Sequence, residues 1–209
     1  MAVMEAERRP ISAPTREEAP TPNGTEEPDA FTPDDLKQFV ETYPDLRVEL
    51  SKDGELIIMP ATFPKTGRRN AKLTARLVVW SEATGLGETF DSSTLFTLPN
   101  GAIRSPDACW IEKSRWDAVE EDEQNALMVL CPDFVAELRS KTDRLSAVQR
   151  KMNEYRENGA RLGWLIDPKS RRVEIYRAGQ EVEILDSPTS LSGEEVLPGF
   201  VLSLDGILF

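Results

Sequence analysis

From Phe31 onward the apolar residues recur in two rhythms, one of period two and one of three to four, and together they outline alternating strands and helices. Thr32, followed by Pro33 and two Asp, predicts a helix start, with Thr32 as N-cap and Pro33 in the first turn, running to about Tyr43. The stretch LRVELSKDGELIIMP alternates on either side of Asp53-Gly54, which predicts a β-hairpin. Leu73, Leu77, Val78 and Trp80 fit a helix over about Arg68 to Thr84 that ends before Gly85. Gly87 to Leu98 reads as extended, closed by the turn residues Pro99, Asn100 and Gly101.

Three short apolar runs follow as strand candidates: Ala108 to Ile111, Phe134 to Leu138, and Leu162 to Ile166. An acidic helical insertion over about Ser114 to Leu127 separates the first two, and its run Glu120 to Glu123 reads as a solvated face. A long helix over roughly Asp143 to Asn158, closed by Gly159, separates the second and third, with Leu145, Val148, Met152 and Tyr155 forming one stripe. A strand, a helix and another apolar strand imply a right-handed crossover within a parallel or mixed sheet. The segment RRVEIYRAGQEVEIL then predicts a hairpin turning at Ala178-Gly179 at a sheet edge.

Residues 1–30 break this pattern. They carry Pro10, Pro14, Pro20, Pro22 and Pro28 with many Glu and no apolar period, so they are expected to form a disordered tail preceding one α/β domain over 31–209. No apolar run approaches the ~20 residues of a membrane span, and the N-terminus lacks the apolar core of a signal peptide. The chain is therefore expected in the cytoplasm, with no membrane partner. Cys109 and Cys131 are the only cysteines, and their apolar contexts predict buried, reduced thiols.

The chain contains no histidine, which removes imidazole bases, Ser-His-Asp triads and histidine-ligated zinc from consideration. Catalysis would rest on carboxylates, Lys, Ser/Thr, Tyr or a hard metal. The formal charge is −12; residues 1–30 hold three Arg against seven acids, or −4, which leaves −8 for the rest. That balance opposes a broad electrostatic grip on nucleic acid, so such a grip requires a local basic patch.

Asp107 opens the strand DACWI, and Glu137 lies within DFVAEL on the same side as Asp133 and Val135. If these strands are neighbours, Asp107 and Glu137 converge. An acid inside an apolar strand is expensive unless paired or ligated, and Mg²⁺ or Mn²⁺ held by carboxylate oxygens is the natural solution.

SPDACWI, CPDFVAELRSKTDR, KMNEY and GWLIDP, in this order and spacing, resemble the Uma-two family of the PD-(D/E)xK restriction-endonuclease-like superfamily over roughly Thr32 to Phe209. The resemblance implies a restriction-endonuclease-like α/β fold: a central mixed β-sheet flanked by helices, with N-terminal and C-terminal β-hairpins. It also implies a Mg²⁺- or Mn²⁺-dependent endonuclease acting on DNA as a homodimer, since two cuts on a duplex need two sites. Asp107, Glu137 and the backbone carbonyl of Leu138 would hold the metal, and Lys151 would complete the catalytic set.

Two positions depart from the family pattern. Arg139 stands where the superfamily calls for Lys, and a guanidinium cannot serve as a base, although it can steady a phosphate. Lys151, four residues before Tyr155, is the expected replacement, orienting or deprotonating water and stabilising the developing charge. Many relatives carry a His within the stretch that here reads ATFPKTGRRNAKL, where Asn70 or Lys65 would take its polar role. Glu49 matches a family acidic position and is a secondary candidate near the metal. Arg139 and the acidic charge also support an alternative, a nuclease-like domain that binds DNA or protein without cleaving.

Overall fold

A computed structural model describes residues 30–124 and 126–209; all but the last residue of the Pro/Glu-rich segment 1–30 lies outside the described residues. The helix α1 (Pro33–Thr42) starts where the pattern predicts. The Thr32 hydroxyl accepts from the Asp35 amide, and the Asp35 carboxylate accepts from the Thr32 amide, closing a capping box.

The hairpin β1 (Val48–Leu50) and β2 (Leu56–Ile58) forms as expected around Asp53-Gly54. The next helix, α2 (Pro64–Thr84), begins four residues before the predicted Arg68, with Pro64 in its first turn. The span predicted as one extended run from Gly87 to Leu98 is broken by a turn into β3 (Gly87–Asp91) and β4 (Phe96–Thr97). Asp91 accepts from the amide and hydroxyl of Ser93, stabilising that turn.

After β5 (Ile103–Arg104) and β6 (Ala108–Glu112), the acidic insertion holds only two helical turns, α3 (Lys113–Trp116) and α4 (Glu121–Gln124). Then come β7 (Phe134–Leu138), α5 (Leu145–Glu157), β8 (Leu162–Asp167), β9 (Arg172–Arg177) and β10 (Glu183–Asp186). A further short hairpin, β11 (Ser190–Ser192) and β12 (Val201–Ser203), closes the chain. The first turn of α5 carries no side-chain cap; the Asp143 carboxylate instead accepts from the Ser140 amide and holds the loop ahead of the helix.

The main sheet has the order β10-β9-β8-β7-β6-β3 and is mixed: β7 and β8 run parallel, joined by α5 as the crossover, and the other pairs are antiparallel. This is the expected α/β architecture, with the predicted hairpin β9–β10 at the sheet edge. One sheet face carries Ala108, Trp110, Phe134, Ala136 and Trp164 and packs on Leu73 and Leu77 of α2 and on the C-terminal segment. The other carries Cys109, Val135, Leu165 and Tyr176 and packs on Met152 and Tyr155 of α5. Pleat alternation therefore turns Glu137, two residues after Val135, toward α5.

A second sheet, β2-β1-β5-β4, packs with α1 around Leu36, Val48, Leu50 and Ile103. It forms one wall of the cleft described next. Cys109 and Cys131 are buried free thiols. No helix among the described residues is long and apolar enough to cross a membrane.

Candidate active site

The antiparallel register of β6 and β7 pairs Ala108 with Ala136. Asp107, one residue before, and Glu137, one residue after, therefore lie directly opposite each other and project to the same side. Both line a cleft of about 960 Å³ between the second sheet and the end of the main sheet, together with Glu49, Asn70, Leu138 and Lys151.

Asp107 is oriented from both sides. The Leu138 amide donates to its Oδ2 at 2.8 Å, and the Asn70 side-chain amide donates to its Oδ1 at 2.8 Å. Burial nonetheless pushes its carboxyl above the usual range, against the pull of the Leu138 amide, Lys151 and Asn70. The carbonyl oxygen of Asn70 is buried and has no hydrogen-bond partner.

Glu137 Oε1 receives the Lys151 ammonium at 2.7 Å and the Tyr155 hydroxyl at 3.2 Å. Among the described residues no donor reaches its Oε2. Burial, reinforced by the negative charges of Asp107 and Glu49, pushes Glu137 up to about 8 even though Lys151 pulls the other way. Two buried carboxylates with one ammonium between three acids make a site short of positive charge.

Lys151 is fully engaged. Its ammonium donates to Glu137, to Glu49 Oε1 at 2.6 Å and to the Ser105 carbonyl at 3.1 Å, one acceptor for each of its three protons. The two carboxylates outweigh burial and hold it protonated, above the ordinary lysine range. Glu49 in turn accepts from the Ser105 amide and from Arg104, whose Nε bonds Glu154 at 2.6 Å. Burial alone would raise Glu49; Lys151, ahead of Arg104, holds it low. A chain of charges thus runs from the second sheet through Glu49 and Lys151 to Glu137.

The sequence candidates Asp107, Glu137, Leu138, Lys151 and Glu49 come together in this cleft, and Arg139 does not line it. The Arg139 guanidinium bonds Asp167 at 2.7 Å and the Asp143 carbonyl through Nε and Nη2. Of the two residues suggested for the missing His, Asn70 reaches the site and Lys65 is exposed on α2. Sequence reasoning assigned Tyr155 only to the packing stripe, although its position four residues after Lys151 puts both side chains on one helix face. Arg104 was missed entirely; a two-residue strand gives too short a pattern to read.

A model for a family described as "Putative restriction endonuclease" (Uma2) matches residues 33–205. The chain belongs to this Uma2 family. A crystal structure from Anabaena variabilis ATCC 29413, described as a "putative nuclease", is similar with a TM-score of 0.71 and 22% identity, over 85% of this chain and 97% of that one. At that identity the likeness speaks for the fold alone, and it agrees with the mixed sheet and its flanking helices. No curated protein matches the chain.

A hard divalent cation fits the oxygen donors present. Asp107, Glu137 with its free Oε2, Leu138 with its backbone carbonyl and Asn70 with its unpartnered carbonyl oxygen all line the cleft and offer only oxygen donors. Among the described residues no three acidic, thiol or imidazole side chains cluster into a complete metal cage. Mg²⁺ commonly takes one or two carboxylates and completes its shell with water, so two suffice.

Proposed function

We propose that this Uma2 family member is a metal-dependent endonuclease that hydrolyses DNA phosphodiester bonds, with Asp107, Glu137 and the Leu138 carbonyl holding Mg²⁺ or Mn²⁺. Family membership supports a nuclease-like activity; the observation that carries the finer reading is Asp107 facing Glu137 across adjoining strands that line the cleft. A divalent cation there supplies Lewis acidity toward a phosphoryl oxygen and lowers the pKa of bound water.

The protein's own groups then have separable tasks. The amides of Leu138 and Asn70 fix Asp107. Lys151 holds Glu137 and brings positive charge toward a phosphate; because two carboxylates keep it protonated, it acts as a charge and a proton donor rather than as a base. Tyr155 fixes the remaining freedom of Glu137 from beneath. A homodimer would supply the second site for a double-strand cut.

Cleavage of supercoiled plasmid with Mn²⁺ tests this, comparing wild type with Glu137→Ala and Lys151→Ala. Nicking or linearisation by wild type, lost in Glu137→Ala and lowered roughly 10²-fold in Lys151→Ala, is the expected result. One observation favours a second reading, a domain that binds without cleaving: all three Lys151 protons are already engaged and Arg139 is tied to Asp167. Plasmid binding by wild type with no cleavage under any divalent metal would select that reading.

A further inference from the structure

Acidic residues dominate the chain, yet none occurs between Glu55 and Glu82, while Lys65, Arg68, Arg69, Lys72 and Arg76 all do. All five lie on α2. At about 100° per residue they fall within a sector roughly 100° wide on one flank of the helix. None of the five pairs with a carboxylate among the described residues. Arg76 is committed to the carbonyls of Ser203 and Asp205, which leaves four cations without an anionic partner among the described residues. One of them, Arg69, keeps a buried Nε with no acceptor. Such a row in a molecule of net charge −12 is a local exception that salt bridges within the fold do not explain.

The row lies beside the site on the helix. Asn70, which grips Asp107, lies on the buried line of α2 with Leu73 and Leu77, roughly 100° around the helix from the near edge of the row. The outward ridge beside the row carries exposed Ala71 and Ala75, which let a bulky partner approach the helix closely. The width of a helix with side chains, about 10–12 Å, is close to the ~12 Å that separates the strands of DNA across its major groove. At the N-terminal end of α2, where Thr66 and Asn70 line the cleft and Lys65 and Arg68 lie alongside, a duplex can thus present one strand to the cleft while the basic row holds phosphates of the other.

We infer that the basic flank of α2, formed by Lys65, Arg68, Arg69 and Lys72, is the docking surface for the phosphate backbone of double-stranded DNA whose other strand enters the cleft of Asp107 and Glu137. This rests on the nuclease reading for its substrate. It also answers the charge objection, since a concentrated row of unpaired cations serves where a broad positive surface is lacking.

The test is the salt dependence of binding to a labelled duplex of ~30 base pairs, long enough to cover a protein of this size. Fluorescence anisotropy across a NaCl series in chelator compares wild type with the double variant Lys65→Gln/Arg68→Gln, with Lys37→Gln on α1 as a remote control. Both substituted side chains are exposed, so the thermal transition should not move, and Lys65→Arg/Arg68→Lys should bind as wild type. The slope of log K against log salt should fall by about 2 in the double variant, close to 0.9 for each phosphate left unneutralised, and not in the control.

Equal slopes in wild type and double variant overturn the docking surface, and plasmid cleavage by both would leave the nuclease reading standing without it. Single-stranded DNA held as tightly as duplex, with the same loss in the double variant, would refute the straddled-duplex geometry. Binding to anionic lipid vesicles without binding to DNA would assign the flank to a membrane surface and overturn the inference. Neither binding nor cleavage by wild type would remove both readings together.

Discussion

Replacing Lys151 by Met tests the electrostatic core of the site independently of any turnover. Met keeps much of the length and packing volume of the side chain but deletes the ammonium, which lies 5.7 Å from the centre of the Tyr155 ring. Two carboxylates, Glu49 and Glu137, and the Ser105 carbonyl then lose a shared donor, and the charged side chains involved are all at most 13% exposed. Removing one partner of a buried ion pair costs about 3–5 kcal/mol because the other charge stays behind. Arg104 still serves Glu49, so the loss concentrates on Glu137, whose carboxyl burial already disfavours as an anion.

For a domain of this size each kcal/mol moves Tm by roughly 2–4 °C, so Lys151→Met should melt about 6–20 °C below wild type. The variant also becomes a better sensor of metal. With the competing ammonium gone, the paired acids take up protons or a divalent cation, so at a pH high enough to keep them ionised millimolar Mn²⁺ should raise its Tm more than it raises that of wild type. Thermal melts with and without Mn²⁺ measure both effects. A Tm within about 2 °C of wild type would refute the argument, because it would mean the three interactions of the ammonium together contribute less than ~1 kcal/mol.

Three further outcomes follow from particular side chains. Glu137→Ala should abolish Mn²⁺ binding in a calorimetric titration while leaving the fold intact, because the carboxyl it removes is destabilised by burial and by Asp107; unchanged affinity excludes Glu137 as a ligand. Asn70→Ala frees one oxygen of Asp107 and should weaken Mn²⁺ about 10–100-fold, the usual scale for a residue that orients a ligand, with little change in Tm; equal affinity would show that the Leu138 amide alone suffices. Gly87→Ala would place a Cβ 2.5 Å from the Trp110 ring and against the Ile111 carbonyl, at the Gly87–Glu112 end of the β3–β6 pairing, and should cost about 1–3 kcal/mol; a Tm close to wild type in a melt would show that the sheet edge gives way.

What could be read from the sequence was whatever repeats within a few residues. The pleat that sets Glu137 against the apolar residues of DFVAEL, the stripe of α5 and the Asp-Gly turn of the first hairpin are all local, and each is present. The second sheet was legible only in its hairpin β1–β2. It pairs β1 with β5, about fifty residues apart, through strands too short to show alternation, and the partners of Glu49 follow from that pairing. The start of α2 was set too late because the apolar stripe begins at Leu73, although Pro64 marks the first turn.

The contacts of Arg139 keep its guanidinium out of the cleft. In a regular strand, residues 137 and 139 would share a side, which is how a lysine two residues after the acid can reach the same metal. Here β7 ends at Leu138, and Arg139 turns to bridge Asp167 at the end of β8 and the Asp143 carbonyl ahead of α5, using three of its nitrogens at once. A lysine has one nitrogen and cannot hold both partners in that fork. The position has become a clamp joining two parallel strand ends to the loop that leads into α5. By fixing that loop, Arg139 also fixes where α5 starts, and with it the register that carries the Lys151 ammonium to Glu137. Arg139 and Lys151 are therefore mechanically linked through one helix.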